Sequence, residues 1–196
     1  WMKEYYPREY ELMKAFVKAG RWHVSGASWD ATDTLVPSVE SFIRNIMLGQ
    51  EFYRKGAGGR KYRHLPSRLL RIRLDIATVA AHCGLIGFSS QKLDWRNNPF
   101  YGKSKHPFTI GLWKGVDGAS VMLAHGYDYG RRWDNEDLSE NKYLMELSKC
   151  TPLNTVYRYY GTGDVGGSPT IASVASVEKG IKGDGPLKII SAASDS

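Results

Sequence analysis

Along most of this chain, short apolar runs of strand length alternate with longer segments of helical period, and that alternation narrows the possible folds more than any other feature. Period two buries one face of a strand, whereas period 3.6 buries one stripe of a helix. Chains that alternate the two fold as α/β layers, commonly around a mostly parallel sheet. Leu12, Met13, Phe16 and Val17 fall on one side of a helix that Gly20 can stop. Residues 22–27 read as a buried strand, followed by the polar stretch 28–34. Pro37 and Ser38 open a second helix, with Phe42, Ile43, Ile46 and Met47 on one face and an end near Arg54. Residues 78–83 form a helix tail before Gly84, and 85–89 a strand. Strands at 108–113 and 120–124 are joined as a hairpin through Val116-Asp117-Gly118. Beyond the acidic connection 134–141, a helix begins at 142–147 and a strand covers 156–160. That strand runs into the turn GTGDVGGSPT; residues 171–179 read as a helix closed by Gly180, and 187–191 as a last strand.

The 196 residues suit one large domain or a piece of a larger one. The chain opens on Trp1 inside a helical pattern and stops just past a strand, so a fragment truncated at both ends is expected. No apolar run reaches the roughly 18 residues of a membrane-spanning helix, and residues 1–18 are too charged for a secretory leader. Two cysteines, Cys83 and Cys150, make neither a disulfide framework nor a zinc knuckle. No HxH, HExxH or CxxC spacing marks a metal site.

The net charge of +7 invites a nucleic-acid reading, but it is unevenly placed. Residues 56–77, GAGGRKYRHLPSRLLRIRLDIA, hold six Lys and Arg against the single Asp75, which leaves only +2 for the other 174 residues. Tyr62 is the one aromatic in this window, whereas single-strand binders interleave basic groups with stacking platforms. Nucleic acid is therefore not an expected partner, and neither is a membrane.

In α/β sheets, chemistry gathers on loops at the carboxyl ends of strands. Three loops qualify here: Trp29, Asp30 and Asp33; Gln91, Lys92, Asp94 and Trp95; and Asp164 among glycines. Carboxylates and amides beside indoles suit a sugar, since the former pair with hydroxyls and the latter cover apolar ring faces. Each residue also has a plain structural use. Asp30 or Asp33 can cap a helix, Trp29 and Trp95 can anchor a core, Lys92 can be a solvated charge, and Asp164 an ordinary turn residue. His125 fits a satisfied buried histidine better than a ligand.

Three stretches together are specific: GRWHVSGASWDATDTLVPSVESFIRN; GLIGFSSQKLDW followed by LWKGVDGASVMLAHG; and YYGTGDVGGSPT. They resemble the N-terminal catalytic domain of glycoside hydrolase family 38, the retaining α-mannosidases, and the likeness covers residues 1–55 and 78–196. The family's nucleophile motif, a strand ending in a Pro-Asp-x-Phe-Gly type sequence, is expected inside the basic window, where HLPSRLLRIRL stands instead. Synonymous codons exist for residues 62–77 that, read one base later, spell TDIFLPDCFGFGWTLP. The same shift carried upstream to Gly56 spells ELGEESTDIFLP. One inserted base near Lys55, offset by one deletion near Ala77, keeps the family length. The window is accordingly read as a frameshifted translation, with Arg68 in the place of the nucleophilic aspartate. Removing the window's five net positive charges and adding five acidic residues would move the net charge from +7 to −3.

The resemblance implies a partial (β/α) barrel-like α/β domain that hydrolyses terminal α-mannosides with the help of zinc. Asp164 becomes the acid/base candidate through GDVGGSPT, and Trp29, Asp33, Gln91, Lys92 and Trp95 the substrate contacts. The family's zinc ligands are a His-x-Asp motif expected before Trp1, the nucleophile, and a histidine expected after Ser196, so the chain as written should be inactive. Placing Arg68, Arg71 and Arg73 in a strand buried on both faces would cost several kcal/mol per unpaired charge. Residues 56–76 are therefore expected to be disordered or a helix displaced to the surface. The alternative readings are a non-catalytic carbohydrate-binding module and a module that holds polyanions through residues 56–77.

Overall fold

The computed structural model describes residues 1–24, 26–34, 36–56, 74–90, 110–125, 132–149, 153–161 and 167–192, and the backbone of 64–66. The chain divides into two units, one made chiefly of Trp1–Phe88 and Lys114–Val121, the other of Ser89–Trp113 and Met122–Ala192.

After a short helix α1 (Met2–Tyr5), Pro7 opens α2 (Pro7–Lys18), where its fixed φ suits the first turn and its missing N–H is not needed. Gly20, at φ +70°, turns the chain back so that the N–H groups of Arg21 and Trp22 reach the Phe16 carbonyl at 2.9 and 3.3 Å. The buried stripe of α2 runs through Tyr10, Met13 and Val17 rather than through Leu12 and Phe16, which are 51% and 40% exposed. Helix α3 (Val39–Gly56) starts where Ser38 Oγ accepts the Ser41 N–H at 3.2 Å. It buries Phe42, Ile46 and Gly49 in the expected period, while Met47 faces outward. Helix α4 (Ile76–His82) is buried along Ile76, Ala77, Val79 and Ala80 and ends before Gly84 at φ +74°.

The sheet has the order β1-β2-β4-β3, with β1 His64–Pro66, β2 Gly87–Ser90, β3 Ile110–Lys114 and β4 Ser120–His125. The architecture is α/β with a mixed sheet. The expected hairpin is present: β3 and β4 run antiparallel, closed by Gly115 N to Ala119 O at 2.7 Å, with Gly118 at φ +87°. β2 is buried throughout, while β4 alternates, turning Val121, Leu123 and His125 inward. The strand β1 corrects the expectation that residues 56–76 lack one. Arg68, Arg71 and Arg73 lie outside the described residues.

Among the described residues, three expected strands do not form. Residues 22–27 begin as the wrapped end of α2 and then lie against α3, where Trp29 N donates to Asn45 O at 2.8 Å. Residues 187–191 alternate, but Leu187 N donates to Ser139 O at 3.0 Å, and Leu187 and Ile189 turn onto a side-chain cluster. Residues 156–160 belong to no described ladder. Apolar alternation signals a buried side; a strand also needs a neighbouring backbone to bond.

In the second unit, Trp133, Leu138, Leu144 and Val177 form that cluster. Asn141 Oδ1 caps α5 (Lys142–Ser148) by accepting Leu144 N–H at 3.0 Å, and Thr170 Oγ1 caps α6 (Ile171–Lys182) by accepting Ser173 N–H at 3.1 Å. Gly180 does not close α6, which continues to Lys182. A Cβ there would stand 2.8 Å from Leu138 Cβ, in the 3-10 turn Leu138–Glu140.

Candidate active site

The loop at residues 28–34 is built against one stripe of α3. Gly49 lets the loop lie directly on the helix, since a Cβ there would fall 2.3 Å from the Ser28 carbonyl carbon and 2.5 Å from Trp29 N. Four residues earlier, Asn45 brackets Asp30: its Oδ1 accepts Asp30 N–H at 2.9 Å and its Nδ2 donates to Asp30 O at 3.2 Å. Three residues later, Phe52 meets the Trp29 ring edge-on at 5.3 Å. Trp29 itself is 59% exposed. Asp33 Oδ1 accepts Val36 N–H at 3.2 Å, so part of its carboxylate serves the approach to α3. Asp30 Oδ1 accepts Ala31 N–H at 2.6 Å.

The second unit brings together the approaches to the other two loops. Ser89, in the last turn-in of β2, hydrogen-bonds through Oγ to the Tyr159 hydroxyl, and Tyr157 and Tyr159 meet edge-to-face at 5.1 Å. Burial pushes the Tyr157 phenol up from its ordinary value, against hydrogen bonds from Tyr159 and Ser89 that lower it. One hydroxyl node thus ties the backbone that leads to Gln91 with the backbone that leads to Asp164. Gln91, Lys92, Trp95, Asp164 and Arg68 themselves lie outside the described residues.

Asn45, Ser89, Tyr157 and Tyr159 escaped the sequence reading. The Tyr-x-Tyr alternation was a usable signal for the last two, but Asn45 looks like any polar helix residue until its partner fifteen positions away is known.

An apolar groove between α3 and α4, lined by Ile43, Met47, Val79 and His82, is a poor sugar site. Its one amide, Gln50, is spent on the Cys83 carbonyl at 3.0 Å, and burial raises the Cys83 thiol. Among the described residues no group of three His, Cys, Asp or Glu side chains converges as a metal ion requires, and His125 is buried at the end of β4.

The profile of the glycosyl hydrolases family 38 N-terminal domain matches residues 1–184. Alpha-mannosidase G of Dictyostelium discoideum is 33% identical over 180 residues, covering 89% of this chain and 16% of that protein. Alpha-mannosidase 2C1 of Homo sapiens is 27% identical over 172 residues, covering 87% of this chain and again 16% of the relative. The chain therefore spans about one sixth of the length of these curated relatives. In fold it is similar to 4-alpha-glucanotransferase from Thermococcus litoralis, with a TM-score of 0.65 and 15% identity over 94% of this chain and 28% of that one. The profile match over nearly all the chain, together with these relatives, places it in glycoside hydrolase family 38, as part of the family's N-terminal domain.

Proposed function

We propose that this chain is a piece of a retaining α-mannosidase that hydrolyses terminal α-mannosides, and that the piece as written binds sugar without turning it over. The observation that carries the reading is the family match across residues 1–184. The Ser89–Tyr159 node supports it, because the two approaches it joins lead to the substrate contacts Gln91, Lys92 and Trp95 and to the acid/base Asp164. Trp29 and Asp33 supply further contacts. The sheet belongs to a partial, mostly parallel (β/α) barrel in the whole domain.

Retention requires two carboxylates about 5–5.5 Å apart, one attacking the anomeric carbon, the other protonating the leaving oxygen and then activating water. Asp164 takes the second role, which calls for a carboxyl kept protonated near neutral pH by its surroundings. Arg68 stands at the nucleophile's position, and a guanidinium cannot form a glycosyl ester. Zinc belongs to the full-length protein by family membership; the described residues do not fit it, and no step here passes through it.

Titrating methyl α-mannoside against the chain, with a parallel hydrolysis assay, tests this. Saturable binding without hydrolysis is expected. Duplex DNA binding that weakens steeply with salt, with no response to sugar, would install the polyanion reading instead. The nucleotide sequence across codons 50–80 tests the shifted frame: codons that spell no family motif one base later remove it.

A further inference from the structure

The loop carrying Trp29 is fixed more firmly than a surface turn requires. Trp29 N–H, Asp30 N–H and Asp30 C=O are all taken by Asn45, through its backbone carbonyl and both ends of its side-chain amide. Ala27, just before, is fully buried, and Gly49 leaves the loop no clearance from α3. Phe52 supports the indole edge-on. Asn45, Gly49 and Phe52 follow one another at helical spacing, so a single stripe of α3 supplies the whole mount. Yet the loop backbone so firmly held presents an indole that is 59% exposed, with Phe52 at its edge. A core anchor would be buried, and a casual surface tryptophan would be loosely tethered.

We infer that Trp29 is a stacking platform for the apolar face of a pyranoside, with Asp30 as hydroxyl acceptor beside it and Asn45 as the positioning residue that holds both. An indole covers the C–H face of a sugar ring, and a mounted ring loses little freedom when the sugar arrives. The Asp30 carboxylate has spent one acceptor position on Ala31 N–H and has others to offer a hydroxyl. This rests on the sugar-binding reading above and assigns it a subsite.

The test is an NMR titration of the 196-residue chain with methyl α-mannoside and, separately, methyl α-glucoside, following the indole N–H signals. The Trp29 signal is assigned by its loss in Trp29→Phe. Trp29 is expected to shift saturably, and Trp29→Ala to abolish that site. Asn45→Ala removes two hydrogen bonds and should weaken affinity by about tenfold, with little change in Tm. Asn45→Asp keeps the acceptor for Asp30 N–H and should recover part of the loss. Binding that leaves the Trp29 signal unmoved, or unchanged affinity in Asn45→Ala, overturns the inference and leaves the mannoside reading standing. A Trp29 response to the glucoside alone overturns the mannoside reading and keeps the platform. Silence toward both sugars overturns both.

Discussion

Helices α3 and α6 use the same packing device to different ends. Each carries a buried glycine where another segment crosses, and each satisfies that segment's backbone with its own polar side chains. On α6, Gly180 admits Leu138, while Ser173 Oγ accepts Trp133 N–H at 2.9 Å and donates to Trp133 O at 3.1 Å. Ser176 Oγ accepts Glu136 N–H at 3.1 Å. On α3, Gly49 admits residues 27–29 and Asn45 takes the backbone of Trp29 and Asp30. The crossings differ in what they do with a tryptophan: Trp133 is 2% exposed and Trp29 59%. The same mount thus makes a core anchor in one unit and a presented aromatic in the other. Exposure, not the holding hydrogen bonds, is what separates the two crossings.

Substitutions at these crossings can break the comparison. Gly49→Ala should have the largest effect. Its Cβ would meet backbone atoms of three consecutive residues at 2.3–2.5 Å, and backbone cannot swing aside as a side chain tip can. A loss of about 2 kcal/mol in urea unfolding is expected, despite the helix propensity of about 1 kcal/mol that alanine adds. Wild-type stability would show that the loop is not seated on α3. Ser173→Ala comes next, at about 1.5 kcal/mol, since it removes both hydrogen bonds that Ser173 Oγ makes to the buried Trp133 backbone. If denaturation of that variant matches wild type, the two crossings are not alike. Gly180→Ala should cost less, about 1 kcal/mol, because its contacts, Leu138 Cβ at 2.8 Å and Leu138 N at 3.2 Å, are looser than those at Gly49 and the propensity gain offsets part of the crowding.

A third crossing sharpens the contrast by being polar and open to solvent. Gly115 of the hairpin lies against α4, where a Cβ would meet Thr78 Oγ1 at 2.3 Å. Asp117 latches it, accepting from Thr78 Oγ1 at 2.8 Å, pairing with His82 Nε2 at 2.7 Å and accepting Ala119 N–H at 3.1 Å. His82 first, then Thr78, hold the Asp117 carboxyl down to about 2 from 3.8. Between those values the unfolded chain binds the proton more readily than the folded one. The latch's contribution is therefore complete above about pH 4 and fades as pH falls toward 2. Tm measured across that window should fall less steeply in Asp117→Asn than in wild type; parallel slopes would show that another carboxylate governs the acid limb. The effect is the smallest of the four, because solvent screens an exposed pair.

Helices and the hairpin were legible in the sequence because their signals are local. The 3.6 period marked α2 and α3, Pro37 and Ser38 marked the start of α3, and Val116-Asp117-Gly118 supplied the turn with its positive φ at Gly118. The strands expected at 22–27, 156–160 and 187–191 were misread because their apolar residues do face inward, but onto helices or other side chains. Of the candidate site, Trp29 and Asp33 were singled out by residue type and place on a loop. Asn45 was not, since nothing local distinguishes an asparagine that grips a distant loop from one that faces water.

What the chain alone determined, then, is its family, its helix periods and its turns, all set by neighbours within a few positions or by long motifs read in order. What only the tertiary structure decided is the use of each small or aromatic residue. Gly180 reads as a helix stop and is a crossing point; Gly49 carries no local signal and seats a loop; Trp29 and Trp133 are the same amino acid with opposite exposure. Those roles depend on which segment arrives from far along the chain, and close packing leaves room there for one arrangement only.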